Sequence, residues 1–453
     1  MKRIVSLLLS LMMALALLTG LSVAQADEPI VLKFWGGVQP EYGYDTLVEN
    51  FNEQFKDKGI QVEYTRYVNN ADGNLQLDNY LAAAGTVDIF MGYGGNGRLR
   101  PRVDAGQIMD MTDYLKAAGF DPIEELGEAA VAQYIYKDKY WAVPTKYENQ
   151  LFWYANVQMF EEAGIPLPLE GWTYAQFFEA VEKLTHGEGP DKVYGMYWGF
   201  NGLADSDRNF ITALNKPYGN YEDATCTSTA FDHPDFIAAL EAIAKTMENG
   251  WAPSLEEEMA DNLGFATVYL GGKSAMTVGI SQMRLIKDLD TYPHDFTTAI
   301  IPAPVPTEAD LALHAKHDIY NGAGDLICVS SKTKYPQECM DFVLWYIQGG
   351  MAPLARGGRI PLWKGFEGDA IVEAMTSGAE GVFDRESILA YMEIEKTRAA
   401  AALNMPSYAQ SEIGTLFIEA YESVLYGRAD AETAMKQLKA EADALIQKAM
   451  AAQ

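Results

Sequence analysis

Five histidines, three cysteines and a glycine-rich run are the first places to look for chemistry in this 453-residue chain. His186, His233, His294, His314 and His317 form no H-E-x-x-H pair. His314 and His317 stand three apart, a spacing two metal ligands can share, but no third ligand is evident, so a solvated loop or helix face is expected. Cys226, Cys328 and Cys339 include no Cys-x-x-Cys and are too few for a disulfide scaffold. Their odd number leaves at least one free thiol or an intermolecular link. Cys328 sits in the apolar run Leu326-Ile327-Cys328-Val329 and reads as a small core residue. No G-x-S-x-G marks a nucleophile. Paired carboxylates of a glycoside hydrolase need a spacing that sequence does not give. No catalytic residue and no metal ligand is therefore assigned, and a secreted carbohydrate-active hydrolase is the enzyme alternative.

Gly92-Tyr93-Gly94-Gly95-Asn96-Gly97 spells G-x-G-x-x-G after an expected strand, with Asp110 or Asp113 near the place of a ribose-binding acid. A dinucleotide site needs a helix opening on those glycines. The stretch 98–104 contains Pro101 and lacks an apolar helical stripe, so a loop lining a cleft is expected, with no cofactor. Gly272-Lys273-Ser274 resembles a phosphate loop, but Thr267 stands where its first glycine belongs. Asp205-Ser206-Asp207-Arg208-Asn209 begins like a calcium loop, but Phe210 and Lys216 replace the required glycine and acid. Only a looser oxygen-ligand site is left open there.

The elements around these residues set their context. Lys2 and Arg3, an apolar run to Leu18 and Ala24-Gln25-Ala26 read as a secretory signal peptide cut between Ala26 and Asp27. No cysteine within residues 1–30 could carry a lipid, so a periplasmic or secreted protein is expected. Loss of two basic side chains takes the formal charge from −29 to −31. That charge repels phosphate backbones, so no nucleic acid partner is expected. Apolar runs alternate with helical patterns. Ile30 to Trp35, Ile60 to Tyr64 and Thr86 to Met91 read as strands. Leu47, Val48, Phe51 and Phe55 recur at helical spacing, as do Phe236, Ile237, Leu240, Ile243 and Met247. Such alternation implies an α/β fold with parallel strands. Proline recurs at 302, 304 and 306, which suits an extended crossover rather than a central strand.

Several ordered segments resemble the family 1 extracellular solute-binding proteins of ABC importers, the sugar-binding proteins of the maltose-binding type. They include Leu32-Lys33-Phe34-Trp35, Leu81 to Ile89, Lys139-Tyr140-Trp141-Ala142-Val143-Pro144, Phe152-Trp153-Tyr154-Ala155-Asn156, Phe160-Glu161-Glu162-Ala163-Gly164 and Gly171-Trp172-Thr173-Tyr174. Val87 and Asp138 depart from the proline and glycine usual in such proteins. The resemblance spans nearly the whole mature chain. It implies two α/β lobes joined by several crossovers, a ligand cleft between the lobes, hinge closure, a membrane permease as partner and a monomer. On that plan residues 27–144 with 305–350 form one lobe, and 145–304 with 351–453 the other. The crossovers fall at 144–147 and 302–306.

A pyranose offers an apolar C–H face and a belt of hydroxyls, matched by flat aromatic rings and bidentate polar groups. The chain holds 8 Trp and 26 Tyr, most of which must fill cores. The regions matching the cleft of similar proteins select Trp35, Tyr93, Tyr147, Glu148, Trp198, Asn321, Arg356 and Trp363 as ligand contacts. Arg359 flanks the same glycine pair as Arg356. Trp153 and Trp172 lie in packing motifs and are expected to be structural. A polyamine or organophosphate is the same-fold alternative to a sugar.

Overall fold

The computed structural model describes residues 29–83, 85–147, 151–199, 220–280, 282–311, 319–320, 323–396, 399–400 and 408–451. The segment expected to be a leader, Glu148, Asn321, the stretch 205–209 and the pair His314 and His317 lie outside the described residues.

Nine strands build two main sheets. They are β1 (Ile30–Gly36), β2 (Ile60–Arg66), β3 (Ile89–Gly92), β4 (Val143–Tyr147), β5 (Leu151–Asn156), β6 (Tyr194–Tyr197), β7 (Ser274–Ile280), β8 (Thr298–Ile301) and β9 (Ala323–Val329). The first sheet has the order β2-β1-β3-β9-β4. β1 runs parallel to β2 and β3, and β9 runs antiparallel to both β3 and β4. Its two faces separate by period two. Leu32 and Phe34 are fully buried on one face, where Phe34 meets Tyr44 of the helix Tyr44–Gln54 and Phe342 of the helix Pro336–Trp345. Trp35 points the other way, toward Tyr80 of the helix Ala71–Ala82.

The second sheet has the order β8-β5-β7-β6. Along β5, Trp153 and Ala155 enter one core while Tyr154 enters another on the opposite face. The first of these cores is covered by the helices Tyr174–Leu184, Pro234–Glu248, Gln410–Leu425 and Ala431–Ala451. The helix Tyr174–Leu184 starts where its sequence directs. Thr173 and Gln176 form a capping box, and Phe177, Val181 and Leu184 form its buried stripe. On the opposite face lie Asp369–Thr376 and Arg385–Lys396.

Three expectations change. A helix, Gly95–Asp104, does open on the glycine run, with Pro101 inside it. Buried Leu99, Arg102 and Val103 anchor it, and that packing outweighs the roughly 3 kcal/mol proline penalty. The proline-rich run after β8 is extended but stays on the second lobe. Val305 is bridged to Thr173, and the Trp172 indole donates to the Pro302 carbonyl at 2.8 Å. The expected division after residue 144 falls inside β4, whose Lys146 and Tyr147 pair with β9 in the first sheet. Near the second division the strap 351–362 touches both lobes. Met351, Leu354 and Leu362 pack in the first core, and Ala355 and Ile360 pack with the second lobe.

Candidate binding cleft

The parallel strands β1, β2, β3 and β4 all end on one edge of the first sheet, where β9 begins. Ligands of open α/β sheets bind outside such carboxyl ends. Only three residues separate Tyr147, the last of β4, from Leu151, the first of β5. Four chain links reach at most about 14 Å, so the opening edge of β5 must lie beside that carboxyl edge. Leu151 pairs with Ile280, the end of β7, and β6 ends on the same side, where Tyr197 pairs with Thr277. The two sheets thus present facing edges.

On the first edge two partly exposed phenols, Tyr64 and Tyr93, are fixed in place, backed by the buried Tyr44 and Tyr67 of the first core. Tyr93 follows β3, is half-buried, and accepts the Gly37 amide on its hydroxyl at 2.9 Å. A β-carbon on Gly37 would lie 2.8 Å from the Tyr93 ring, so this approach requires glycine. Tyr64 stacks on Tyr44 at 4.2 Å and donates to the Val38 carbonyl at 2.7 Å. Tyr67 donates to the Met91 carbonyl at 2.8 Å. Burial pushes all four phenols above their ordinary range, so they stay neutral.

Beside them lies an ion pair that sequence reasoning did not select. Asp325, the third residue of β9, has a φ of 48°, unusual for a residue with a side chain. Its carboxylate accepts from Arg359 Nε at 3.0 Å, and its carbonyl accepts from Thr145 Oγ1 at 2.7 Å. Burial works against the Arg359 charge, but the Asp325 carboxylate leads the interactions that outweigh it and hold the guanidinium pKa above its ordinary value. The available signal was a single acid within an otherwise apolar strand.

The other selected residues are scattered. Trp35 lies within β1, half-buried, its ring 4.9 Å from Tyr80. Tyr147 ends β4 with its backbone paired to Ala323 at the edge. Arg356 bridges lobes, its Nη2 donating to the Glu41 carbonyl at 2.8 Å, and it lines a separate surface groove of about 930 Å³ with Trp345 and Phe366. Trp363 donates its indole N–H to Glu125 Oε2 at 2.9 Å and packs on the margin of the first core. Trp198 must be corrected. It is only 3% exposed, its indole N–H donates to Thr246 Oγ1 at 2.8 Å, and its ring meets Trp153 edge-on at 5.5 Å. The glycine beside it marks a turn out of the core rather than a platform. Trp153 and Trp172 lie in that same core.

Among the described residues no group of three His, Cys, Asp or Glu is placed to hold a metal ion, and no helix is long and apolar enough to cross a membrane. All three cysteines are buried and unbridged.

The chain thus forms two α/β lobes with facing sheet edges rather than one core. The chain belongs to the bacterial extracellular solute-binding protein family, whose model matches residues 46–372. No curated protein sequence matches it. Its fold is similar to that of a sugar transporter from Rhizobium etli in an open conformation, at 17% identity over 91% of this chain and 99% of that one, with a TM-score of 0.66. It is also similar to the sugar-binding protein MalE of Xanthomonas citri, at 16% identity over 92% and 98%, with a TM-score of 0.65. A cyclic alpha-maltosyl-1,6-maltose binding protein of Arthrobacter globiformis gives 18% identity over 93% and 100%, with a TM-score of 0.62.

Proposed function

We propose that this chain is the extracytoplasmic binding subunit of an ABC importer and that it holds a carbohydrate between the two sheet edges without transforming it. The observation that carries this reading is the pair of fixed neutral phenols and the polar groups on the first edge, joined to the second by a three-residue link. Rings with apolar faces and fixed hydroxyls suit a sugar better than a bare polyamine or phosphate. The names of the structural neighbours, sugar transporter and sugar-binding protein, point the same way. Between the lobes the chain runs from β4 to β5, from Leu311 to β9, and along the strap 351–362. Ligand touching both edges favours the closed form by its differential affinity, and closure reports occupancy to a permease. The protein acts as an exported monomer with no nucleic acid partner. Calorimetry of the mature protein against mono- and oligosaccharides tests this. A tight ligand recovered intact is expected, and turnover of that ligand would overturn the binding role.

A further inference from the structure

We propose that Asp325 and Arg359 form a clamp for two neighbouring hydroxyls, and that the cleft therefore selects a neutral sugar over uronic acids, sugar phosphates and amino sugars. This rests on the cleft reading above. The pair is engaged through one hydrogen bond only, Arg359 Nε to Asp325 Oδ2. Among the described residues, Arg359 Nη1 and Nη2 and Asp325 Oδ1 have no hydrogen-bond partner, and none of them is among the buried orphaned atoms. They are polar groups with unused capacity that still reach solvent, in side chains only 24% and 10% exposed. The pair is held stiffly. The Asp325 carbonyl is fixed by Thr145, and Arg359 sits on the strap between Leu354 and Ile360, which pack in different cores.

The chemistry follows from the free atoms. The guanidinium edge donates and the carboxylate oxygen accepts, side by side. A hydroxyl both accepts and donates, so two adjacent hydroxyls complete the pattern. A carboxylate or phosphate on the ligand would gain Arg359 but lie against Asp325. An ammonium would meet the reverse conflict. Tyr44, Tyr64 and Tyr93 around the pair are neutral, so these phenols compensate neither charge. Strap and strand come from the two sides of the hinge region, so a ligand bound to this pair also ties the strap to the first edge.

The test is a calorimetric panel of neutral pyranoses and their oligosaccharides, uronic acids, sugar phosphates and amino sugars, run on the wild type, Asp325→Asn and Arg359→Lys. Asn tolerates the positive φ at 325 and keeps the shape, so Asp325→Asn remains informative if the Arg359 variant misfolds. The expected result is a neutral ligand, indifferent to salt, weakened about 10-fold or more by either variant at unchanged folding. Monodeoxy analogues of that ligand should include one whose loss is not additive with Asp325→Asn. A charged sugar as the best ligand would overturn the clamp and leave carbohydrate binding standing. So would a neutral sugar bound equally well by both variants. Failure of every panel member to bind would overturn the carbohydrate reading itself, and the clamp with it.

Discussion

The facing edges of the two sheets treat their aromatic residues in opposite ways. On the first, Tyr64 and Tyr93 are pinned at the strand ends by the backbone of Val38 and Gly37, beside the Asp325–Arg359 pair. On the second, Trp198 turns back into the core against Trp153 and Phe177. A phenol hydroxyl can be satisfied by a strand-end amide and leave its ring at the rim. A tryptophan behind an edge strand has more area to bury, and here Thr246 offers its N–H a partner inside. An aromatic at the end of a strand is therefore a cleft residue on one lobe and a core residue on the other.

The largest effects should come from breaking that division. Trp153→Ala and Trp198→Ala should each destabilise the second lobe by about 3–5 kcal/mol, read by urea unfolding. A Trp198→Ala protein with wild-type stability and lost ligand binding would return that residue to the cleft. Next comes Arg102, buried on Phe90 and bonded to Asp78 at 2.6 Å and Asn74 at 3.1 Å. Arg102→Ala should cost roughly 3 kcal/mol in the first lobe, because the buried Asn74 oxygen loses its donor, Asp78 loses its cation and the packing on Phe90 is lost. Its ligand affinity, measured on the folded fraction, should not change. A smaller loss is expected from Tyr93→Phe, about 1–2 kcal/mol, since the Gly37 amide loses its acceptor.

The smallest predicted effect is on pH dependence. Lys287, on the helix Met283–Lys287, has a buried amine with no partner among the described residues. Burial, reinforced by Arg356 and opposed by Glu380, lowers its pKa from 10.5 to about 7. The unfolded chain then holds this proton up to about 10.5 while the folded chain releases it near 7, so stability from this group rises with pH across that window and is flat below it. Lys287→Met should raise the melting temperature at pH 7 and flatten the alkaline rise. Parallel melting curves of both proteins across the window would speak against the buried amine.

Much of the fold was legible because local pattern and tertiary packing agree. The alternation in β1, the stripe Leu47 and Phe51, the cap at Thr173 and the terminal helix from Ala431 all survive in the structure. The failures share a cause. Pro101 is helical because Leu99 and Val103 are buried by neighbours distant in sequence. Trp198 is held by a residue 48 positions away, and Arg359 by one 34 positions away. No window of sequence contains such partners. Of the selected site, Tyr93 and the backbone end of Tyr147 lie at the edge, whereas Arg356 and Trp363 are committed to other contacts.

The central claim is that one ligand contacts both sheet edges. Hydrogen–deuterium exchange of the mature protein, with and without saturating amounts of the sugar found by calorimetry, tests it directly. The account predicts slowed exchange in peptides covering 36–38, 64–67, 92–94 and 323–326 of the first lobe, together with 151–153 and 278–282 of the second. Protection confined to one lobe, or absent from both edges while the sugar is bound, would contradict it.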